Sequence, residues 1–400
     1  MRVGLSTSVI QRGKTGVAQY VFALVRSLLA WAGEHQFTLF VLEEDLPLFN
    51  FANPQMNVVR VPEKFRPPVK NILWHQHWLP PLIREHQLEV LHVPSYRRLL
   101  WPHPCALVAT IHDLAPFHVT GKYDRLRMFY GRVVARQLAR RQDEIIAISH
   151  NTARDLEIHF ELSRERITVI PNGLNHDEYC PGNPFEARQV VSKRYQVRSP
   201  FFLYVARLEH PGKNHLRLIE AFNQFRSDTK LPWQLLLAGS DWHGAEAIHA
   251  AIRRSPFAGD IVTPGFVPAK DLPNLYRAAD AFVYPSLYEG FGLPPLEAMA
   301  CGCPVLCSTR GALGEVIGDA ALTVDPENIA ELKAQLAKLA GDAALRKRLQ
   351  TAGIKQARHF DWHTTAVGTL NVYDRALARV KAGAVTHAPR TVEAQPKALH

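Results

Sequence analysis

Two carboxylates eight positions apart, Glu289 and Glu297, lie within Pro285-Ser286-Leu287-Tyr288-Glu289-Gly290-Phe291-Gly292-Leu293-Pro294-Pro295-Leu296-Glu297-Ala298. Gly290 and Gly292 let backbone approach a ligand with no Cβ in the way. Pro294 and Pro295 pre-set φ for a first helical turn and give up amides that would have no partner there. A glycine loop followed by a helix start is an anion site, because the free amides and the helix dipole both favour negative charge. Acids beside an anion site make sense when the anion also carries hydroxyls, which carboxylates accept well. A diphosphate with sugars at both ends fits that description.

Arg207 and Lys213 flank a tight Pro211-Gly212 turn after an apolar run, Phe201 to Ala206. A forked guanidinium and a point-charge ammonium suit a pyrophosphate whose charge grows as it leaves. Ser286, just ahead of Glu289, can help shape the phosphate loop. His112 follows another apolar run, Ala106 to Ile111, and so stands at a strand's carboxyl end, where open α/β sheets bind ligands. Gly13 and Gly16 form a glycine loop between the first strand and the first helix. That loop is neither a P-loop, since Ser8 stands where the leading glycine belongs, nor a dinucleotide fingerprint, since no Gly-x-Gly occurs there. No Asp-x-Asp and no His/Glu cluster with metal spacing is present. Arg207, Lys213 and a helix start are then the groups left to neutralise a diphosphate.

The Glu289–Glu297 stretch closely resembles the Glu-x7-Glu signature of the family-4 retaining glycosyltransferases, which have the two-domain GT-B fold. The resemblance extends over nearly the whole chain and is strongest over 201–326; the 112–114 and 145–174 regions look most like a bacterial mannosyltransferase branch. It implies that Glu289 lies by the donor sugar and Glu297 by the nucleotide ribose. It implies diphosphate roles for Arg207 and Lys213, and places His112 facing the sugar. It also sets Gly13 and Gly16 beside the pyrophosphate, Val267 by the base through its backbone, and Ser286, Gly290, Phe291, Gly292 and Leu293 in the donor loop. The implied reaction moves a sugar, mannose as first expectation, from a GDP- or UDP-linked donor to a glycan or lipid-linked acceptor, with no metal and no cofactor. The crowded Leu208-Glu209-His210-Pro211 segment departs from the small or acidic residues expected before the lysine. A GT-B epimerase or phosphorylase, or a non-catalytic sugar-nucleotide-binding protein, is the alternative.

These residues need strands to deliver them. The runs at 2–6, 37–43, 90–94, 106–111, 144–149 and 167–170 read as strands of one parallel sheet. The runs at 201–206, 234–238, 261–263, 281–284, 304–307 and 321–324 read as a second, with helical patterns between most of them. The expected class is α/β of GT-B type: two Rossmann-like parallel-sheet domains facing a cleft. Residues 1–180 form the acceptor-side domain and 181–361 the nucleotide-sugar domain. A helix at 362–380 packs back on the first, and 381–400 is a disordered tail. Residues 47–85 and the proline-rich 171–200 read as irregular, and Asn151 or Thr152 as the cap of the helix after 149.

Four hundred residues suit two cores better than one. Apolar content of 47% and charged content of 21% are those of an ordinary globular protein. The N-terminus runs straight into a strand pattern, unlike a signal peptide, and no apolar run is long enough to span a bilayer. Five scattered cysteines without paired zinc spacing read as small buried residues of a reduced cytoplasm. Net charge is 47 minus 37, or +10. It admits nucleic acid, anionic lipid or phosphorylated small molecules, but no nucleic-acid motif accompanies it. Residues 121–141 hold Lys122, Arg125, Arg127, Arg132, Arg136, Arg140 and Arg141 against Asp124. That stretch reads either as a basic amphipathic helix suited to an anionic membrane surface or as an ordinary packed helix with a solvated basic face; the first reading gives a cytoplasmic protein able to sit peripherally on the membrane's inner face.

Overall fold

The computed structural model describes residues 1–13, 15–31, 33–51, 56–95, 104–118 and 130–383. Of the expected tail at 381–400, Lys381 still belongs to the last helix, and 384–400, like the first half of the basic stretch, lie outside the described residues. Among those described, the chain forms two parallel sheets. The first holds β1 (Arg2–Ser6), β2 (Gln36–Leu42), β3 (Met56–Val61), β4 (Val90–Val93), β5 (Ala106–Ile111), β6 (Glu144–Ala147) and β7 (Ile167–Val169), ordered β3-β2-β1-β4-β5-β6-β7. The second holds β8 (Phe201–Val205), β9 (Gln234–Ala238), β10 (Ile261–Gly265), β11 (Ala281–Tyr284), β12 (Val305–Ser308) and β13 (Leu322–Val324), ordered β10-β9-β8-β11-β12-β13.

Each sheet is doubly wound: the chain runs outward from its first strand, then returns to that strand's other side. The direction reverses between β1 and β4 and between β8 and β11, and ligands of such sheets bind beyond the carboxyl ends at that point. The loops after β1, β8 and β11 carry Gly13 and Gly16, Arg207 and Lys213, and Glu289. Central strands are buried on both faces, as Val90–Val93 and Phe282–Tyr284 show; that is why they read as continuous apolar runs rather than alternating ones.

The Gly16–Ala30 helix starts at Thr15, whose hydroxyl accepts from the Ala18 amide at 3.2 Å, and buries Tyr20, Leu24 and Leu28 along one stripe. The Trp362–Lys381 helix crosses from the second sheet and packs on the first domain through Ala366, Val372, Tyr373 and Ala376. Burying side chains as large as Val372 and Tyr373 contributes about 1.5–3 kcal/mol each.

Several local expectations need correction. Residues 47–85 are not irregular: they hold β3 and the Pro68–His77 and Leu79–Glu85 helices. Prolines at the first helical positions start these helices rather than break them. The 171–200 segment contains the Pro184–Tyr195 helix, capped by Asn183 and packed on the Leu272–Ala278 helix. Its apolar face is too narrow for periodicity to reveal. The Ala343–Ala357 helix, capped by Asp342, was also not expected. The His150–Phe160 helix is capped by Ser149, not by Asn151 or Thr152: Ser149 accepts from the Thr152 amide at 3.0 Å. The described part of the basic stretch is helical from Tyr130 to Ala139. Its arginines face protein partners: Arg132 donates to the Pro116 carbonyl at 2.9 Å, and Arg136 and Arg140 pair with Glu161. No helix among the described residues is long and apolar enough to cross a membrane.

Candidate active site

The loop after β8 and the loop after β11 are stitched into one structure. The Leu287 amide donates to the Gly212 carbonyl at 3.0 Å. Asn214, held at φ +60°, donates through its side-chain amide to the carbonyls of Pro285 at 3.0 Å and Pro326 at 2.6 Å. This frame sets Lys213 against Glu289: Nζ lies 2.5 Å from Oε1 and both side chains are largely buried. The same oxygen accepts from Tyr284 Oη at 3.0 Å and lies 2.6 Å from Ser286 Oγ. Three donors around one carboxylate oxygen fix its position far better than a solvated loop acid would be fixed. Sequence spacing gave no sign that the lysine and the acid are each other's counter-ions, because 76 residues separate them.

Arg207 is more open. Its guanidinium stacks over Trp242 at 4.5 Å and reaches Glu209 at 3.3 Å, leaving the charged group half-exposed. The Leu293–Ala300 helix begins at Gly292, whose φ of +118° excludes most side chains and whose added Cβ would stand 2.6 Å from Leu313. Leu293 is half-buried at its first position, and Phe291 turns inward to meet Phe360 edge-on at 5.8 Å. Val267 is buried, two residues after Gly265 in the turn that leaves β10.

Gly290 has no room for a side chain. A Cβ placed there would sit 1.9 Å from the His112 carbonyl oxygen and 2.8 Å from the Asp113 Cβ. The loop after β11 therefore touches the backbone of the first domain at the histidine picked out from sequence. The His112 ring bonds the Pro94 carbonyl, which assigns the proton to Nδ1, and its buried Nε2 has no partner among the described residues. Burial pushes its pKa down to about 4, against the opposing pull of Asp113. Neutral, with Nε2 as a bare acceptor, this ring is prepared for a hydroxyl donor. Tyr20 meets it edge-on at 4.8 Å, and below lies a buried polar chain that sequence reasoning did not find. Tyr20 contacts Thr110 at 3.0 Å, Thr110 contacts His92 at 2.8 Å, and His92 contacts Tyr373 at 2.7 Å. Asp113 caps the next turn through the Ala115 amide at 3.0 Å.

The first glycine loop ends a tight turn at Gly13, where φ is +77°, and Gly16 opens the helix with free space where a Cβ would stand. Glu297 lies one and a half turns into its helix and bonds Tyr276 Oη at 2.7 Å, with Tyr179 beside it. Burial, only partly offset by these phenols, raises its pKa to about 7. Its environment differs sharply from that of Glu289, which a lysine neutralises.

The two domains also meet on the His150–Phe160 helix. Glu315 of the second domain accepts from the His150 and Asn151 amides at 2.8 and 2.6 Å, occupying the helix's positive end. Tyr288 donates to Asp155 at 2.6 Å and stacks on His118 at 4.3 Å.

Comparison with known proteins decides the class. Residues 14–178 match the family model described as Glycosyltransferase Family 4, and residues 188–356 the model described as Glycosyl transferases group 1. The chain is 30% identical over 392 residues to the O-antigen chain mannosyltransferase B of Escherichia coli, covering 93% of this chain and 99% of that protein. The chain belongs to the family-4 glycosyltransferases. A serotype-specific mannosyltransferase, WbdA of Escherichia coli, is 29% identical over 281 residues, 68% of this glycosyltransferase and 34% of WbdA. In structure, a sucrose-phosphate synthase from Thermosynechococcus elongatus superposes with a TM-score of 0.75 at 21% identity, covering 94% of this chain and 99% of that one. That likeness establishes the shared two-sheet fold of this glycosyltransferase.

Proposed function

We propose that this glycosyltransferase is a retaining hexosyltransferase, with mannose as the sugar, and that its donor is a GDP- or UDP-linked sugar. Its acceptor in this reading is a growing glycan or lipid-linked saccharide of polysaccharide or glycolipid assembly. The observation that carries the reading is the Lys213–Glu289 pair at the β8/β11 reversal, set against His112 through Gly290. Mannose is supported by the two Escherichia coli relatives, whose names are mannosyltransferases.

The diphosphate lies at the start of the Leu293–Ala300 helix, within reach of Arg207 and Lys213. Negative charge grows on its departing oxygen as the glycosidic bond breaks, and these fixed cations stabilise that charge. The reading needs no metal and no cofactor, because the protein supplies the positive field. Glu289, anchored by Lys213, Tyr284 and Ser286, accepts hydroxyl hydrogens of the sugar, and His112 Nε2 accepts another from the opposite domain. Glu297 accepts the ribose hydroxyls. The acceptor enters from the first domain, and the closed junction keeps water from the donor.

A thermal-shift screen of GDP-mannose, UDP-glucose and other nucleotide sugars tests the donor. A true donor at ~100 times its Kd adds about 2.7 kcal/mol of stability. Transfer assays with the stabilising donor then test the sugar, and stabilisation by no nucleotide sugar refutes the reading. A peripheral contact with anionic membrane through 121–141 belongs to the same reading. It is supported by the excess of ten positive charges and by the basic residues of that stretch other than Arg132, Arg136 and Arg140, which bind protein groups. Flotation with anionic and neutral liposomes tests it, and charge-independent behaviour overturns it.

A further inference from the structure

His118, Asp155 and His159 form a compact group on the first domain, and the transfer reaction gives it no task. Asp155 and His159 lie four residues apart on the His150–Phe160 helix, so they share one face. His118 comes from the turn after His112, and its Nε2 is 2.8 Å from Asp155 Oδ2. One ligand atom from each of the three lies within 4.8 Å of the others. Asp155 is buried, His159 half-buried, and His118 open to solvent, which gives an ion a path in. Phe117 stacks on His159 at 4.5 Å and fixes that ring from behind.

We propose that these three side chains form a binding site for a divalent transition-metal ion of the zinc class. Two imidazole nitrogens and a carboxylate oxygen are a donor set such ions take, with a fourth position left open. At metal–ligand distances near 2.0–2.1 Å, tetrahedral ligands stand about 3.3 Å apart. His118 and Asp155 are already close to that spacing, and His159, whose ligand nitrogen lies within 4.8 Å of both, moves in to close the third side. The ion takes the place of the hydrogen now shared between His118 and Asp155; the His118 proton moves to Nδ1, so no net proton is lost. Arg132, which stacks on Phe117, is a cation near this group and lowers its affinity for a second positive charge. The Asp155 carboxylate offsets part of that.

The site sits at the domain junction. Tyr288, which donates to the same Asp155 oxygen at 2.6 Å and stacks on His118, immediately precedes Glu289. An ion on Asp155 competes with that phenol, so its occupancy couples to the seating of the donor loop. This inference does not depend on which sugar is transferred.

The test uses the full chain, untagged and stripped with chelator, titrated with Co2+ and followed by visible absorption. One Co2+ per chain is expected, with the strong bands of a tetrahedral site, displaced by Zn2+. His159→Ala and His118→Ala should each weaken binding at least ~10-fold while melting like the parent. Asp155→Asn gives the same loss, but its buried position makes the histidine variants the deciding ones. Weak octahedral bands only, or undiminished binding in both histidine variants, overturns the site.

Discussion

Gly290→Ala should open the domain junction without damaging either domain. The residue's φ is not in the left-handed region, so alanine meets no backbone objection there. The obstacle is across the cleft, where the new Cβ would lie 1.9 Å from the His112 carbonyl oxygen and ordinary contact begins near 3.4 Å. The difference, 3.4 minus 1.9, is about 1.5 Å, and the thing to be displaced is backbone rather than a flexible side-chain tip. The donor loop must therefore retreat from His112 by most of that distance. A misplacement of about 1 Å between reacting groups can cost ~10²-fold in rate, so kcat should fall about 100-fold. The donor contacts proposed for Arg207, Lys213 and Glu297 would all lie within the second domain, so on that reading donor Kd should change less than ~3-fold, within about 0.7 kcal/mol. Steady-state kinetics with calorimetric titration of the donor separate the two effects. Parental kcat in a folded Gly290→Ala protein, or a donor affinity that collapses along with kcat, would refute this account of the junction.

Lys213→Met and Glu289→Gln should each abolish most transfer, costing on the order of 2–4 kcal/mol of transition-state stabilisation. Because the pair is largely buried, each single variant should also lower Tm and the double variant should recover part of the loss, a coupling that a double-mutant cycle on unfolding free energies measures. Glu297 carries a pKa raised to about 7, so the folded protein holds a proton there that the unfolded chain releases near 4.5. Its favourable contribution is full below pH 4.5 and is lost as pH rises to about 7; relative to Glu297→Gln, the ligand-free parent should lose stability across that window and then level off, as melting curves at fixed ionic strength can show. On the proposed ribose role of Glu297, donor affinity in the parent should rise over the upper part of the same window, as its carboxylate forms. His112, with its pKa lowered to about 4, stays neutral above pH 5; the pH–rate profile should show no limb from it there, while His112→Phe should cut kcat ~10²-fold or more.

What could be read from sequence was what is local or periodic. Glu289 and Glu297 share one loop and helix, Arg207 and Lys213 share one turn, and the strands announce themselves as short apolar runs. The partners that define the chemistry are distant in the chain. Nothing near Lys213 signals Glu289, and nothing near Tyr288 signals Asp155. The pairing of Glu315 with the first amides of the His150–Phe160 helix has no periodic trace either. The two acids are alike in residue type, yet one is neutralised by an ammonium and the other is met by phenols alone, a difference only packing supplies. Proline misled in two places: at Pro68 and Pro184 it opens helices, where a proline-rich composition suggested loop.

The Trp362–Lys381 helix makes the second domain an insertion within the first. On the ribosome, the segment carrying β1 to β7 emerges early, but its hydrophobic seat for Val372 and Tyr373 stays empty until the whole donor-binding half has been made. His92, which meets Tyr373, waits for the same helix. The order of synthesis and the order of completion are thus opposite: the half translated second can finish folding first, and the half translated first is sealed last. Two covalent crossings then join the domains, so relative rotation is held by a double strap rather than a single tether.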